Sequence, residues 1–294
     1  MAYTILVPVE DTTWSSGFIS HLNNLAKRDD SGFVLLRVLP DLTGVNAMEI
    51  DQRILEAETM LNNCAKQLDI SNDRIWFNLE MGDPETVITQ RAIIEKVDLI
   101  AMTTHARAGM SRMLDGSVAE SVMRVAPCPT LLFHTDTAPH PELENGQVMR
   151  ILVPIDTNRE SSYILESITQ LVPAKHCEII LYHSFTGTSE ADNSGISIKT
   201  EKTIIELCKQ RFKQHGYKVS KIVSSFKSPA SDIIKTIHEQ KIDLIAMGTH
   251  GRSGLSRLLF GSVAESVLHH SVCPLLVVST SPTHEFEYKE RYIG

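Results

Sequence analysis

The segment IDLIAMGTHGRSGLSRLLFGSVAESVLHHSVCPLLVV spans residues 242–278 and contains a short apolar run, a glycine-rich loop and the start of a helix. Residues 242–247 are long enough for one buried strand and too short for a buried helix. A strand, a glycine-rich loop and a helix N-terminus in this order form an anion site, because unpaired backbone N–H groups and the positive end of the helix dipole converge there. We therefore expect a phosphate group at this loop.

The spacing of the loop is G-x-x-G, nine residues, then G-S, formed by Gly248, Gly251, Gly261 and Ser262. A Walker A loop would need lysine after its final glycine, where this chain has Ser262. A dinucleotide-binding fingerprint lies between the first strand and its helix, whereas this loop follows the fourth strand of its repeat. Both of these common nucleotide motifs are therefore excluded.

The same segment occurs twice in the chain. Residues 97–121 align without gaps on residues 242–266, with 18 identities in 25 positions. The openings of the two repeats also match, residues 5–10 against residues 151–156. A repeat of this length predicts two whole domains in tandem rather than a solenoid, whose periods are roughly 20 to 50 residues.

Apolar strand-like runs alternate with amphipathic helix-like runs in each repeat. The expected strands are 4–9, 33–39, 74–80, 98–102 and 130–134, then 150–155, 178–183, 218–224, 242–247 and 275–278. The first expected helix begins after the cap residues Asp11, Thr12 and Thr13 and ends at about residue 28. The other expected helices are 48–68, 84–96, 116–125, 158–171, 198–215, 229–240 and 263–270. This alternation predicts a parallel sheet with helices on both faces in each domain. Ligands of such sheets bind beyond the carboxyl ends of the strands.

The glycine spacing resembles the nucleotide-binding signature of the universal stress protein family, and the resemblance covers nearly the whole chain in both repeats. It implies two tandem Rossmann-like (adenine nucleotide alpha hydrolase-like) domains, each a five-stranded parallel sheet in the order 3-2-1-4-5. Residues 1–136 and 148–280 would form the two domains. Residues 137–147 would link them, and residues 281–294 would be a C-terminal tail.

The resemblance also implies ATP, with or without Mg²⁺, or another adenine nucleotide between strands one and four of the second domain. Asp156 would hold the ribose or the adenine, and backbone atoms near His183 would read the edge of the base. A carboxylate at a strand end suits a vicinal diol. The full set of candidate binding residues is Val153, Pro154, Asp156, His183, Met247, Gly248, Gly251, Arg252, Gly261, Ser262 and Val263.

Other interpretations of these residues stay open. Asp156 could only cap the following helix, and Arg252 could be an ordinary surface residue. We expect no metal site and identify no catalytic constellation, although slow ATP hydrolysis needs only Mg²⁺ and a positioned water. The first interpretation is an ATP-dependent stress-response regulator. The alternatives are a slow ATPase or phosphotransfer protein, and a nucleotide-free dimerisation scaffold.

The first domain departs from the signature. Thr103 stands for Gly248, Ala106 for Gly251 and Glu10 for Asp156. If both lost glycines require a left-handed backbone, each replacement costs roughly 1–2 kcal/mol. We therefore expect an impaired or empty site in the first domain.

The composition limits the partners. A formal net charge of −8 argues against broad contact with nucleic acid or an anionic membrane. No secretory signal and no apolar run of roughly 18 residues is visible, so we expect a cytoplasmic protein. The five scattered cysteines are expected to be small buried hydrophobes. The two domains are expected to pair through their fifth strands, and the chain to form a homodimer.

Overall fold

A computed structural model describes residues 3–10, 14–28, 30–104, 118–134, 137–139, 148–155, 158–185, 198–225, 228–248, 261–271 and 273–278. The chain divides into two compact units, Met1–His140 and Pro141–Gly294. We call them the first and the second domain.

The first domain contains one parallel sheet in the order β3-β2-β1-β4-β5. Its elements are β1 (Tyr3–Pro8), α1 (Ser16–Ala26), β2 (Ser31–Leu39), α2 (Ala47–Ala65), β3 (Ile75–Met81), α3 (Pro84–Ile94), β4 (Leu99–Thr104), α4 (Val118–Val125) and β5 (Thr130–His134). A short 3-10 helix, Asn72–Arg74, precedes β3. The sheet confirms the strand order that the resemblance implied.

The second domain repeats this plan, with parallel strands in the order β10-β9-β6-β7-β8. Its elements are β6 (Met149–Pro154), α5 (Asn158–Leu171), β7 (Cys177–Ser184), α6 (Ile198–Gln214), β8 (Lys218–Ser225), α7 (Pro229–Gln240), β9 (Leu244–Gly248), α8 (Ser262–His270) and β10 (Leu275–Val278). A short 3-10 helix, Ala174–His176, precedes β7. Two tandem five-stranded α/β domains are therefore the observed architecture.

The central strand of each sheet pairs with its neighbour in the same register. Tyr3 pairs with Ser31 in the first domain, and Met149 pairs with Cys177 in the second, so equivalent residues differ by 146 in number. The central strands β1 and β6 have the same burial pattern, with four of six residues buried. Because helices cover both faces of a parallel sheet, such strands are almost continuously apolar. Equivalent positions in the two domains can therefore be compared residue by residue.

Two local expectations need correction. Helix α1 begins at Ser16, and its N-cap is Ser15, whose Oγ accepts from the Phe18 amide at 3.2 Å. The expected cap residues, 11–13, lie outside the described residues. The alternation of residues 74–80 in the sequence predicts a strand with one covered face, whereas Trp76 and Phe77 of β3 point to opposite faces and are 49% and 46% exposed. The physical reason is that β3 is the edge strand of its sheet and its neighbours cover it only in part.

Candidate functional site

The carboxyl ends of β6 and β9 lie side by side in the second domain. Ile151 pairs with Leu244 and Leu152 with Ile245, so the ends of these parallel strands reach the same edge of the sheet. The strand order reverses here, because β7 continues the sheet on the other side of β6. This is the switch point at which open α/β sheets bind ligands.

The β6 side of this edge is held rigidly. Val153 is fully buried, and Pro154, the last residue of β6, is half-buried. The next residue, Ile155, donates its N–H to the Tyr182 carbonyl at 2.9 Å, and its own carbonyl lies 2.8 Å from Nδ1 of His183. Asp156 follows directly in the sequence and lies outside the described residues.

The β9 side carries the start of the glycine loop. Met247 is buried, and Gly248 ends β9 paired with Val278 of β10. Gly251 and Arg252 lie outside the described residues. The loop returns at Gly261, the N-cap of α8, in an extended conformation with φ −63° and ψ 135°. Ser262 is exposed and Val263 half-buried in the first turn of α8.

The N-terminus of α8 differs from three other helix starts. Side chains of Ser15, Asn46 and Asp83 accept backbone N–H groups at the starts of α1, α2 and α3. Helix α8 has no side-chain cap, because its N-cap residue is glycine. The first amides of a helix and its dipole attract anions when no side chain caps them. The arrangement is therefore compatible with a phosphate group.

Gly248 does not have the backbone conformation that the sequence interpretation considered. It is an extended strand residue, whereas the described glycines with positive φ are Gly44, Gly82 and Gly216. Its counterpart Thr103 is likewise a strand residue, paired with Phe133. The cost of a left-handed backbone therefore does not apply at this position. What Thr103 adds is a side chain at the end of β4.

A buried acid–base pair beneath the site was missed from the sequence. Nε2 of His183 lies 3.8 Å from Oε1 of Glu201 in the first turn of α6, and the two side chains are 1% and 0% exposed. Glu201 shares the buried side of α6 with Ile205, Cys208 and Phe212. One acidic residue at an apolar position of a helix is the sequence signal that could have revealed it.

The first domain has a different side chain at the same place. Arg37, which is equivalent to His183, donates through Nη1 to the carbonyls of Val9 and Glu10 at 3.0 and 2.9 Å. Val9 is bonded to β2 as Ile155 is to β7, since its N–H donates to the Leu36 carbonyl at 2.8 Å. Glu10 is exposed. Residues 105–117, the counterpart of the glycine loop, lie outside the described residues.

All five cysteines are buried thiols outside any disulfide, and burial raises the pKa of the Cys177 and Cys273 thiols far above their ordinary value. Among the described residues, no cluster of three or more His, Cys, Asp or Glu side chains could hold a metal ion. In the same part of the chain, every helix is too short or too polar to cross a membrane.

Comparisons with known proteins agree with this architecture. The family model described as "Universal stress protein family" matches residues 1–134 and 147–279. Universal stress protein Rv2005c of Mycobacterium tuberculosis is 26% identical over 223 residues, which are 74% of each chain.

A solved structure shows the same fold over nearly the whole chain. A universal stress protein from Archaeoglobus fulgidus has a TM-score of 0.69 at 21% identity, covering 95% of this chain and 97% of its own. Another from that organism, solved in complex with dAMP, has a TM-score of 0.35 at 19% identity and covers 44% of this chain and 97% of its own. Because the family model matches both halves separately, the chain belongs to the universal stress protein family as a member with two tandem domains.

Proposed function

We propose that the second domain binds ATP between the ends of β6 and β9, and that the chain acts as a nucleotide-dependent stress-response regulator. One observation carries the proposal. The ends of β6 and β9 lie side by side, Asp156 and the glycine loop follow these two strands in the sequence, and the described chain resumes at the uncapped N-terminus of α8. Family membership and the unbroken G-x-x-G, nine residues, G-S spacing support it.

Each group in this proposal has a chemical task. The amides of Ser262 and Val263 and the Ser262 hydroxyl would hold phosphate oxygens, aided by the helix dipole. The Asp156 carboxylate would accept hydrogen bonds from the ribose hydroxyls. The buried side chain of Val153 and the half-buried Pro154 would support the base, and backbone atoms at the end of β7 near His183 would read its edge. Met247, Gly248, Gly251 and Arg252 would complete the phosphate side, and Mg²⁺ could accompany the phosphates.

The test is native mass spectrometry of the full chain, as purified and after addition of Mg-ATP, with the nucleotide identified after denaturation. We expect one ATP per chain. The Gly261→Val variant should lose it, because a branched side chain at the N-cap of α8 would occupy the phosphate position. Gly261 has an extended backbone that valine can adopt, so the loss would report on the ligand rather than on strain.

Other stoichiometries favour the alternatives. Two nucleotides per chain would contradict an impaired first domain, and none would favour a dimerisation scaffold. Phosphate release that depends on Asp156 and Gly248 would favour a slow ATPase. Homodimerisation, and pairing of the two domains within one chain, stay predictions. Light scattering coupled to size-exclusion chromatography tests the first, and cross-linking with mass spectrometry tests the second.

A further inference from the structure

We propose that the outer edge of β3 in the first domain is a docking surface for a second copy of this chain, whose own β3 pairs with it in antiparallel orientation. The proposal gives the expected homodimer a defined surface, separate from the fifth strands through which the two domains are expected to pair. It does not depend on nucleotide binding in the second domain.

The two domains differ in how their outer edge strands are protected. Strand β8 carries Lys218 and Lys221, and its register with β7 shifts between Ile179 and Ile180. Lysines and bulges are features that keep edge strands from pairing with other chains. Strand β3 has the sequence IWFNLEM, with neither lysine nor proline, and it pairs with β2 in one unbroken register. The edge of β3 therefore lacks the protection that the edge of β8 has.

Large apolar side chains are exposed along β3. Trp76 and Phe77 are about half exposed, and Met81 is 62% exposed. Trp76 projects from one face of the sheet and Phe77 and Met81 from the other, because successive residues of a strand alternate. Long, exposed apolar edge strands are sites at which another chain adds to a sheet. Both faces of the sheet thus offer apolar surface next to the edge.

One hydrogen bond identifies the backbone groups that point outward from β3. Gly82, which follows β3, donates its N–H to the Leu39 carbonyl of β2 at 3.0 Å. Alternate residues of a parallel strand direct their backbone groups to the same side, so the even-numbered residues face β2. Among the described strands β3 pairs with β2 alone, so its other side is an open edge. The residues whose N–H and C=O point to that edge are Ile75, Phe77, Leu79 and Met81.

A second copy of β3 can pair with all of these groups in one antiparallel register. When Asn78 lies opposite its own copy, Ile75 lies opposite Met81 and Phe77 lies opposite Leu79. Each outward residue then exchanges both of its backbone hydrogen bonds with another outward residue. Any other register leaves one end of the strand unpaired. At every hydrogen-bonded position of this register an apolar side chain faces an apolar side chain, which stabilises antiparallel pairs.

The polar residues of β3 fit the same register. Nδ2 of Asn78 donates to Oε1 of Glu95 at 3.5 Å, and the second amide hydrogen and Oδ1 can bond the Asn78 of the other copy. The antiparallel arrangement also brings Arg74, at the amino end of β3, diagonal to Glu80 at the carboxyl end of the other copy. These two side chains have opposite charges and lie on the same face. Glu80 already pairs with Arg91 of its own copy, so the contact buries no unpaired carboxylate.

The exposed area corresponds to a weak dimer. An aromatic side chain buries roughly 150 to 250 Å², so covering the exposed parts of Trp76, Phe77 and Met81 would remove roughly 300 Å² from solvent in each copy. The two copies together would bury about 600 Å² from these side chains, to which the paired backbone and Asn78 add. Specific interfaces bury about 1,000 Å² or more in total, so this contact lies at the lower end of the range. We therefore expect a dissociation constant in the micromolar range.

The first test measures the mass of the full chain by size-exclusion chromatography with light scattering at several concentrations. We expect wild type to form a dimer as the concentration rises. Phe77→Lys and Phe77→Glu should each weaken the association by roughly thirtyfold or more, because the two copies of residue 77 are diagonal neighbours and would repel each other. An equimolar mixture of the two variants should dimerise again, since lysine then lies beside glutamate.

Leu207→Lys is the matched control for the Phe77 variants. Leu207 lies on α6 of the second domain, away from any strand edge, and its exposed fraction of 44% is close to that of Phe77. The same charge introduced there should leave the mass of the dimer unchanged. The melting temperature of each variant checks that the chain is folded.

The second test examines the register with a disulfide. The Cα atoms of Asn78 and its copy would lie about 4.5 Å apart, a distance that a disulfide spans. Because the native cysteines are buried thiols, Asn78→Cys should give a covalent dimer under mild oxidation without interference from them. Glu80→Cys is the control, since residue 80 and its copy would lie roughly 14 Å apart along the strands and should stay unlinked.

The results separate this proposal from other occupants of the edge. A dimer that is lost in both Phe77 variants, recovered in their mixture and linked through Asn78→Cys would support it. A chain that stays monomeric, or a dimer that both Phe77 variants leave intact, would overturn it. A monomeric chain that binds an extended peptide at β3 would also overturn it, because the occupant would then be another protein. The nucleotide content of the same samples reports on the proposed function independently.

Discussion

The two domains have the same strand order and register but differ where their strands end at the candidate site. At the edge of the second domain the glycine loop has its full spacing, and His183 holds the exit of β6. At the edge of the first domain Thr103 replaces a glycine, and Arg37 holds the exit of β1. The comparison teaches that one strand order and register accommodates different side chains at the carboxyl ends of its strands, even where these side chains are buried.

The segment that follows β5 also distinguishes the first domain. Thr137, the first residue of the expected linker, is buried, and its carbonyl lies where a Cβ on Gly17 of α1 would approach to 1.9 Å. In the second domain the residue equivalent to Gly17 is Tyr163, which is half-buried. Only a glycine lets the backbone of residues 137–138 cross α1 at this distance.

The largest predicted effect follows from this crossing. Gly17→Ala should lower the free energy of unfolding of the first domain by about 2 kcal/mol, because the methyl group meets backbone rather than a flexible side chain. Tryptophan fluorescence during urea unfolding reports on that domain, since Trp14 and Trp76 are the two tryptophans of the chain.

The matched control is Gly44→Ala, where the space around the Cβ is open and only a φ of +84° opposes the change. The cost there should be about 1 kcal/mol. A stable Gly17→Ala variant would show that residues 137–139 do not need to lie against α1, and the difference between the domains would disappear at this position.

The next prediction transfers one residue between the sites. Gly248→Thr gives β9 the residue that Thr103 provides in β4. The strand should accept threonine, because Gly248 already has an extended backbone. We expect ATP binding to weaken about tenfold, since the new side chain would lie beside the phosphates. Calorimetry measures this loss, and the melting temperature serves as the check on folding. Unchanged affinity would mean that the glycine spacing is not what distinguishes the two domains.

The smallest predicted effect concerns the amino ends of the strands in the second domain, at the edge of the sheet opposite the candidate site. A hydrogen bond from Lys218, followed by the charges of Lys218 and Arg150, lowers the pKa of Glu178 below its ordinary value of 4.5. The equivalent residue of the first domain is Gly32, which the Trp76 ring covers. The two domains therefore fill this position with an ion pair and with an aromatic ring.

The sign of the pH effect follows from the lowered pKa. A carboxyl group whose folded pKa is depressed stabilises the protein above its unfolded pKa, and the contribution is lost as pH falls through the folded value. Glu178→Gln should therefore cost less than about 1 kcal/mol at pH 7, because Lys218 is largely exposed, and the difference should vanish in acid. Circular dichroism during urea unfolding at several pH values measures this, with the exposed Glu49→Gln as control. A difference that grows in acid would contradict the assignment.

Much of the fold could be predicted because the signals are local. The helices Asn158–Leu171 and Pro229–Gln240 and the strands Thr130–His134 and Leu275–Val278 have the expected bounds. Their periodicity, prolines and apolar runs lie within each element, so no distant residue is needed to recognise them. The prediction of residues 11–13 as the N-cap of α1 was wrong. Several polar residues near that helix start can cap it, and the geometry of one turn selects Ser15.

For the candidate site too, local features could be predicted from the sequence and contacts between distant residues could not. The sequence alone determined the tandem repeat, the glycine spacing and the parallel α/β class, since each is a pattern of neighbouring residues or a comparison of two segments. The tertiary structure decided that Nδ1 of His183 reaches the Ile155 carbonyl, that Nε2 of the same ring lies 3.8 Å from Oε1 of Glu201, and that Gly248 is extended. The two His183 contacts join residues 18 and 28 positions apart, which only the packing of α6 and β7 against β6 brings together.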